Sequence, residues 1–251
     1  MLIGDVTFEQ YGLVAVIAFA AAILGGVTGY GTGLLLPPVL LPIIGAEAIV
    51  PVISLSALLT NASRLLAFRT EFDMRKACLV AAVALPTCIM GAYGYTRLSG
   101  AGISLLIGVV LILLVPLRHF LLKHRGHIGT RGLLAAGTGY GLLTGGTSGA
   151  GVVLLSILLA SGLHGAAVIA TDAGISLTLG LAKVMVFQAA GSLPASSWIM
   201  AIVIGLFATP GAFLAKRLTK RLSNRAHVAV LDGVVILGGL LLVVQSLRII
   251  L

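Results

Sequence analysis

The chain has 251 residues, of which 59% are hydrophobic and 9% charged, and its formal net charge is +9. An ordinary soluble domain carries about 25% charged residues, so a water-soluble fold of this size could not cover so much apolar surface. A mean hydropathy of +1.17 points instead to an all-α polytopic membrane protein whose basic residues sit in short loops between spans, not on a nucleic-acid-binding face.

Met1–Gln10 lacks the positive start of a cleavable signal peptide, so the first apolar stretch is expected to be retained. Hydropathy then predicts eight segments: Tyr11–Ile44, Ala48–Phe68, Ala77–Tyr95, Gly102–Leu121, Leu133–Leu163, Ala166–Ala189, Ser197–Ala215 and Val228–Ile250. Segments one and five run past 30 residues, and a glycine cluster interrupts each near its middle. The clusters are Gly25-Gly26-Val27-Thr28-Gly29-Tyr30-Gly31-Thr32-Gly33 and Gly145-Gly146-Thr147-Ser148-Gly149-Ala150-Gly151. An offset of 120 residues carries Gly25, Gly26, Gly29, Gly31, Leu34 and Leu35 onto Gly145, Gly146, Gly149, Gly151, Leu154 and Leu155, which reads as an internal duplication. At an offset of 119, Ala48 faces Ala167 and Arg64 faces Lys183, a weaker echo.

Glycines spaced every four residues, such as Gly137, Gly141, Gly145 and Gly149, could serve only as a smooth face for helix packing. The adjacent Gly26, Gly31, Gly146 and Gly151 argue for a break in the helix as well. About eleven apolar residues follow each cluster, roughly 16 Å of helix and so half a bilayer. Pro37 and Pro38 fall in the first turn of the first half-helix, where a missing N–H matters least. Cys78 and Cys88 share one segment, so neither a disulfide framework nor a metal-ligand spacing is available, and no metal or cofactor is expected.

Basic residues cluster at three junctions: Arg64, Arg69, Arg75 and Lys76; Arg118, Lys123, Arg125 and Arg131; Lys216, Arg217, Lys220, Arg221 and Arg225. All three should be cytoplasmic, yet eight simple crossings put the last two clusters on opposite sides. If segments one and five each enter and return as a hairpin around the glycines, all three fall on one side. The chain then divides into two four-segment repeats, residues 1–126 and 127–251, of opposite orientation, the inverted arrangement known in secondary transporters. Eight crossings with one misplaced loop stay open as the alternative.

A helix broken inside a membrane leaves N–H groups unpartnered, and the half-helix after the break aims its positive end there. Two such breaks make an anion site, lined by Gly25, Gly26, Gly29, Gly31, Gly33, Gly145, Gly146, Gly149 and Gly151. Thr28, Thr32, Thr147 and Ser148 could add hydroxyl donors or merely satisfy carbonyls in the bends. Arg64 and Lys183 could bring positive charge to the anion path or snorkel to the interface. Asp172 is the acidic residue well inside a span and the candidate for proton coupling; eleven positions from Lys183, it is not expected to pair with it. Ser54, Ser56, Asn61, Ser176 and Thr178 either line the path or bond to carbonyls of their own helix.

The glycine break, apolar half-helix and following Ala- and Ser-containing helix, stated once in each half, resemble the sulfite exporter TauE/SafE family of membrane permeases over nearly the whole chain. Gly25–Leu35 and Gly145–Leu155 carry the likeness most specifically. The resemblance implies transport of sulfite, a sulfonate or another small anion across a bacterial inner membrane, with efflux and proton coupling as expectations. The second copy departs from the first, with Val153 facing Gly33 and no counterpart of Pro37-Pro38. Two other readings stand beside it. Gly146-Thr147-Ser148-Gly149 is similar to the short G-x-S-G signature of intramembrane rhomboid proteases, which need a histidine base facing the serine. His164 and His227 are the nearest later histidines, and both lie outside the glycine break. An anion channel is the other alternative; oligomeric state is left open.

Overall fold

The computed structural model describes residues 2–3, 6–28, 32–123 and 128–218, with scattered positions between 236 and 247. A two-residue hairpin, β1 (Leu2–Ile3) on β2 (Val6–Thr7), leads into α1 (Phe8–Thr28). Thr7 and Gln10 cap α1 reciprocally: the Thr7 N–H donates to Gln10 Oε1 at 2.8 Å and the Gln10 N–H to Thr7 Oγ1 at 3.2 Å. Then come α2 (Thr32–Leu35), α3 (Pro37–Ala67), a 3-10 turn (Arg69–Glu71), α4 (Met74–Tyr95) and α5 (Gly100–Lys123). The second half holds α6 (Thr130–Gly146), α7 (Gly151–Ala160), α8 (Ala166–Ala189) and α9 (Ala195–Leu218). Segment eight falls mostly outside the described residues, as do Lys220, Arg221, Arg225 and His227.

Four of these helices, Pro37–Ala67, Met74–Tyr95, Gly100–Leu117 and Ala166–Ala189, have stretches long and apolar enough to cross a membrane. Large apolar side chains such as Leu66, Met90, Met185 and Leu206 lie fully on the surface, where lipid rather than water would cover them. α3 carries Pro37 and Pro38 in its first turn and kinks at Gly45, whose φ of 73° suits glycine. Gly165, just ahead of α8, also has positive φ, at 57°. The two glycines are 120 residues apart, the same offset that relates the glycine clusters.

Helix directions follow from a few contacts. Arg64 near the end of α3 meets Asp172 near the start of α8, while Tyr95 at the end of α4 meets both Ala46 on α3 and Phe187 near the end of α8. The part of α3 after Gly45 therefore runs antiparallel to α8. α4 and α6 run parallel, since Val80, Ala84 and Cys88 face Gly137, Gly141 and Gly145 in order. The Ile128 N–H, just before α6, donates to the Ala160 carbonyl at 3.0 Å, so α7 folds back to the end where α6 began. The packing is paired: α1 lies on α9 as α6 lies on α4, α3 lies on α9 as α8 lies on α4, and α3 lies on α8. With these directions Arg64–Lys76, Lys123, Arg131 and the end of α9 at Leu218 all gather at one end of the bundle.

Glycines 137, 141 and 145 belong to uninterrupted helix, as the packing account expects. A Cβ on Gly141 or Gly145 would run into the backbone of α4 at Ala84 or Cys88. Gly145 and Gly146 thus close α6, and Gly25 and Gly26 lie within α1, so each break is narrower than the glycine cluster. In α6 the close approach to α4 stabilises a helix that glycine alone would weaken.

Candidate functional site

The second break is a short extended passage. Thr147 takes φ −142° and ψ 176°, Gly149 has φ 85°, and Ala150 caps the start of α7. The helix stops where Thr147 turns extended, and Gly149 then takes a positive φ that L-residues avoid. Stopping leaves the last carbonyls of α6 without intrahelical donors. Lys183, reaching from α8, supplies them: its Nζ donates to the Thr144 carbonyl at 2.6 Å and the Thr147 carbonyl at 3.1 Å. Thr147 Oγ1 donates to the Leu143 carbonyl at 2.7 Å, so that hydroxyl serves the bend. Ser148 differs. It is buried, at 6% exposure, and its Oγ has no protein partner among the described residues.

The second break touches α2. A Cβ on Gly33 would stand 2.9 Å from the Gly149 amide nitrogen, and one on Gly149 would collide with the Leu34 side chain. Backbone can approach backbone this closely only where both residues are glycine. Thr32 is half-buried at the head of α2, while Gly29 and Gly31 lie outside the described residues, and the side chain of Thr28 is likewise not described. Gly151 opens α7, a helix of ten residues or about 15 Å.

Arg64 and Asp172 form a separate cluster. Arg64 Nη2 lies 3.0 Å from Asp172 Oδ2, and Arg64 Nη1 donates to Asn61 Oδ1 at 3.3 Å. The Asp172 side chain is 5% exposed, and its Oδ1 has no protein partner among the described residues. Eleven positions of α8, about 16 Å, separate this pair from Lys183. The structure therefore brings Lys183, Ser148, Gly149 and Gly33 together and leaves Arg64 and Asp172 near the basic end of the bundle.

Several hydroxyls bond to their own helix: Ser54 to the Val50 carbonyl, Ser56 to that of Ile53 and Thr178 to that of Gly174. Sequence reasoning missed the group around Lys183. The buried Tyr140 hydroxyl meets Ser176 and Thr144, and Cys88 Sγ approaches the Leu179 carbonyl at 3.9 Å. The signal was available, because Tyr140 and Thr144 lie on one face of α6 four residues apart. His164 is exposed beyond the far end of α7, a helix length away from Ser148. Among the described residues no cluster of His, Cys, Asp and Glu is placed to hold a metal.

A narrow extended segment with a buried ammonium, an unpartnered hydroxyl and a helix N-terminus can hold a small anion by hydrogen bonds and charge. The model of the family described as sulfite exporter TauE/SafE matches residues 14–242. No curated protein and no solved structure matches the chain.

Proposed function

Since the chain belongs to the sulfite exporter TauE/SafE family, a family of membrane transporters, we propose that it is a secondary transporter of a small sulfur-containing or organic anion, such as sulfite or a sulfonate. The observation that carries this reading is the meeting of Gly33 with Gly149 beside Lys183 and Ser148. The cargo would sit at the head of α7, held by Ser148 Oγ, by the N–H groups that open the helix at Gly151 and Val152 and by the Lys183 ammonium. Gly25, Gly26, Thr28, Gly29, Gly31 and Thr32 would complete the site from the first break.

Antiparallel α3 and α8, which match at an offset of 119, support two inverted repeats, residues 1–126 and 127–251. Segments one and five would then be re-entrant, and the basic end of the bundle would face the cytoplasm of a bacterial inner membrane. Rocking of one repeat against the other would open the site to each side in turn. Arg64 and Asp172 lie on opposite repeats, so a proton taken up by Asp172 would loosen their contact; that is the coupling role we assign to it.

Purified protein in liposomes tests the proposal. Saturable uptake of radiolabelled sulfite, driven by an imposed gradient and lost in Gly149→Val, is the expected result. Flux that rises linearly with concentration would identify a channel, and undiminished transport by the variant would refute the site.

A further inference from the structure

We infer that the site is matched to a singly charged anion, because among the described residues one buried cation, Lys183, stands beside it without a carboxylate partner. The inference rests on reading the Thr147–Gly151 break as the cargo site. Among the described residues the ion pairs are Arg64–Asp172 and Lys76–Asp73, so buried Lys183 has no carboxylate partner. Its bonds to the Thr144 and Thr147 carbonyls use two of the three ammonium donors and cancel no charge. The helix ends do not change the count: the partial negative end of α6 and the partial positive end of α7 meet at the same break and offset each other. Tyr140 and Cys88 nearby are neutral groups in their ordinary state at pH 7. Among the described residues one positive charge is left, at the place where the Ser148 hydroxyl has no protein partner.

A cation held alone in a membrane span is costly, and an anion of charge −1 removes that cost by making the site neutral. A dianion would overshoot, leaving a negative charge in the same low-dielectric surroundings. The next cation along α8's packing is Arg64, about 16 Å away and already neutralised by Asp172. The chemical class is therefore a monoanionic oxyanion, such as a hydrogensulfite, an alkylsulfonate or a carboxylate, rather than a dianion such as sulfate.

The test uses two sulfur oxyanions of similar size and fixed charge. Sodium methanesulfonate and sodium sulfate are titrated at pH 7.5 and equal ionic strength against the purified full chain, with thermal stabilisation as the readout. Methanesulfonate is expected to half-saturate at a concentration at least tenfold lower than sulfate. Lys183→Arg should keep that preference and Lys183→Met should lose methanesulfonate binding. Sulfate is also the more strongly hydrated ion, so Asp172→Asn separates charge from hydration: freeing the Arg64 charge should improve sulfate over methanesulfonate by about fivefold. Equal or tighter sulfate binding in the unmodified chain, with the same need for Lys183, overturns the charge match while leaving the anion site standing. An unchanged preference in Asp172→Asn does the same, and absence of binding by either anion overturns both.

Discussion

Arg64 and Asp172 close a 3.0 Å ion pair between α3 and α8, the helices that correspond at an offset of 119 residues. The pair is unsymmetrical. Lys183 stands where a second copy of Arg64 would be, and Val52 or Ile53 where a second copy of Asp172 would be. One end of the helix pair is thus tied by charge and the other is not. Asp172 is the buried member, so removing Arg64 strands its carboxylate, at about 3 kcal/mol, whereas removing both costs much less. Arg64→Leu should therefore melt well below the unmodified protein, and Arg64→Leu/Asp172→Leu should recover most of the loss. A double variant no more stable than the single one would show that the pair is not coupled.

The α4–α6 interface depends on glycine at one face of α6 only. A Cβ at Gly145 would run into the Cys88 carbonyl, while one at Gly139 would meet nothing within 4 Å. Overpacking of this kind costs about 1–3 kcal/mol, whereas glycine to alanine in an open helical position gains up to about 1 kcal/mol. Gly145→Ala should lower the melting temperature in detergent and Gly139→Ala should leave it unchanged or raise it. Equal effects at both positions would mean the helices are not this close.

Much of this arrangement was legible in the sequence, and the parts that were not share a cause. The second break and the hairpin of segment five were legible, because glycine clusters and half-length helices are local features. The same offset also carries Gly45 onto Gly165, so the second kink could have been read as well. Which groups meet across helices was not legible. Arg64 and Lys183 look equivalent in sequence, yet one finds a carboxylate and the other two carbonyls, because α3 and α8 run in opposite directions past different neighbours. The contact of Gly33 with Gly149 likewise depends on how two distant hairpins dock.

Gly149 and Gly162 have nearly the same backbone, with φ of 85° and 89°, and different surroundings. Alanine at either position carries strain on the order of 1 kcal/mol. A Cβ at Gly149 also meets Leu34, while one at Gly162 meets nothing within 4 Å. Gly149→Ala should abolish anion flux in liposomes; Gly162→Ala should transport normally with a slightly lower melting temperature. Matching flux defects would point to strain rather than to the contact of Gly149 with α2.

Ser148 and Thr147 are neighbours with opposite hydroxyl fates, one unpartnered and the other bonded to the Leu143 carbonyl. If Ser148 Oγ donates to the cargo, Ser148→Ala removes a hydrogen bond to a charged group, worth about 1.5–3 kcal/mol or roughly ten- to a hundredfold in affinity. The protein itself should not be destabilised, since the deleted group has no protein partner to strand among the described residues. Thr147→Ala frees the Leu143 carbonyl and leaves the Lys183 bonds to the Thr144 and Thr147 carbonyls in place, so it should lower stability modestly and leave anion affinity within a few fold. The two variants are compared by anion titration and by melting without anion. Ser148→Ala binding as tightly as the unmodified chain would remove Ser148 from the site, and loss of cleavage of a transmembrane peptide in that variant would instead bring back the protease reading.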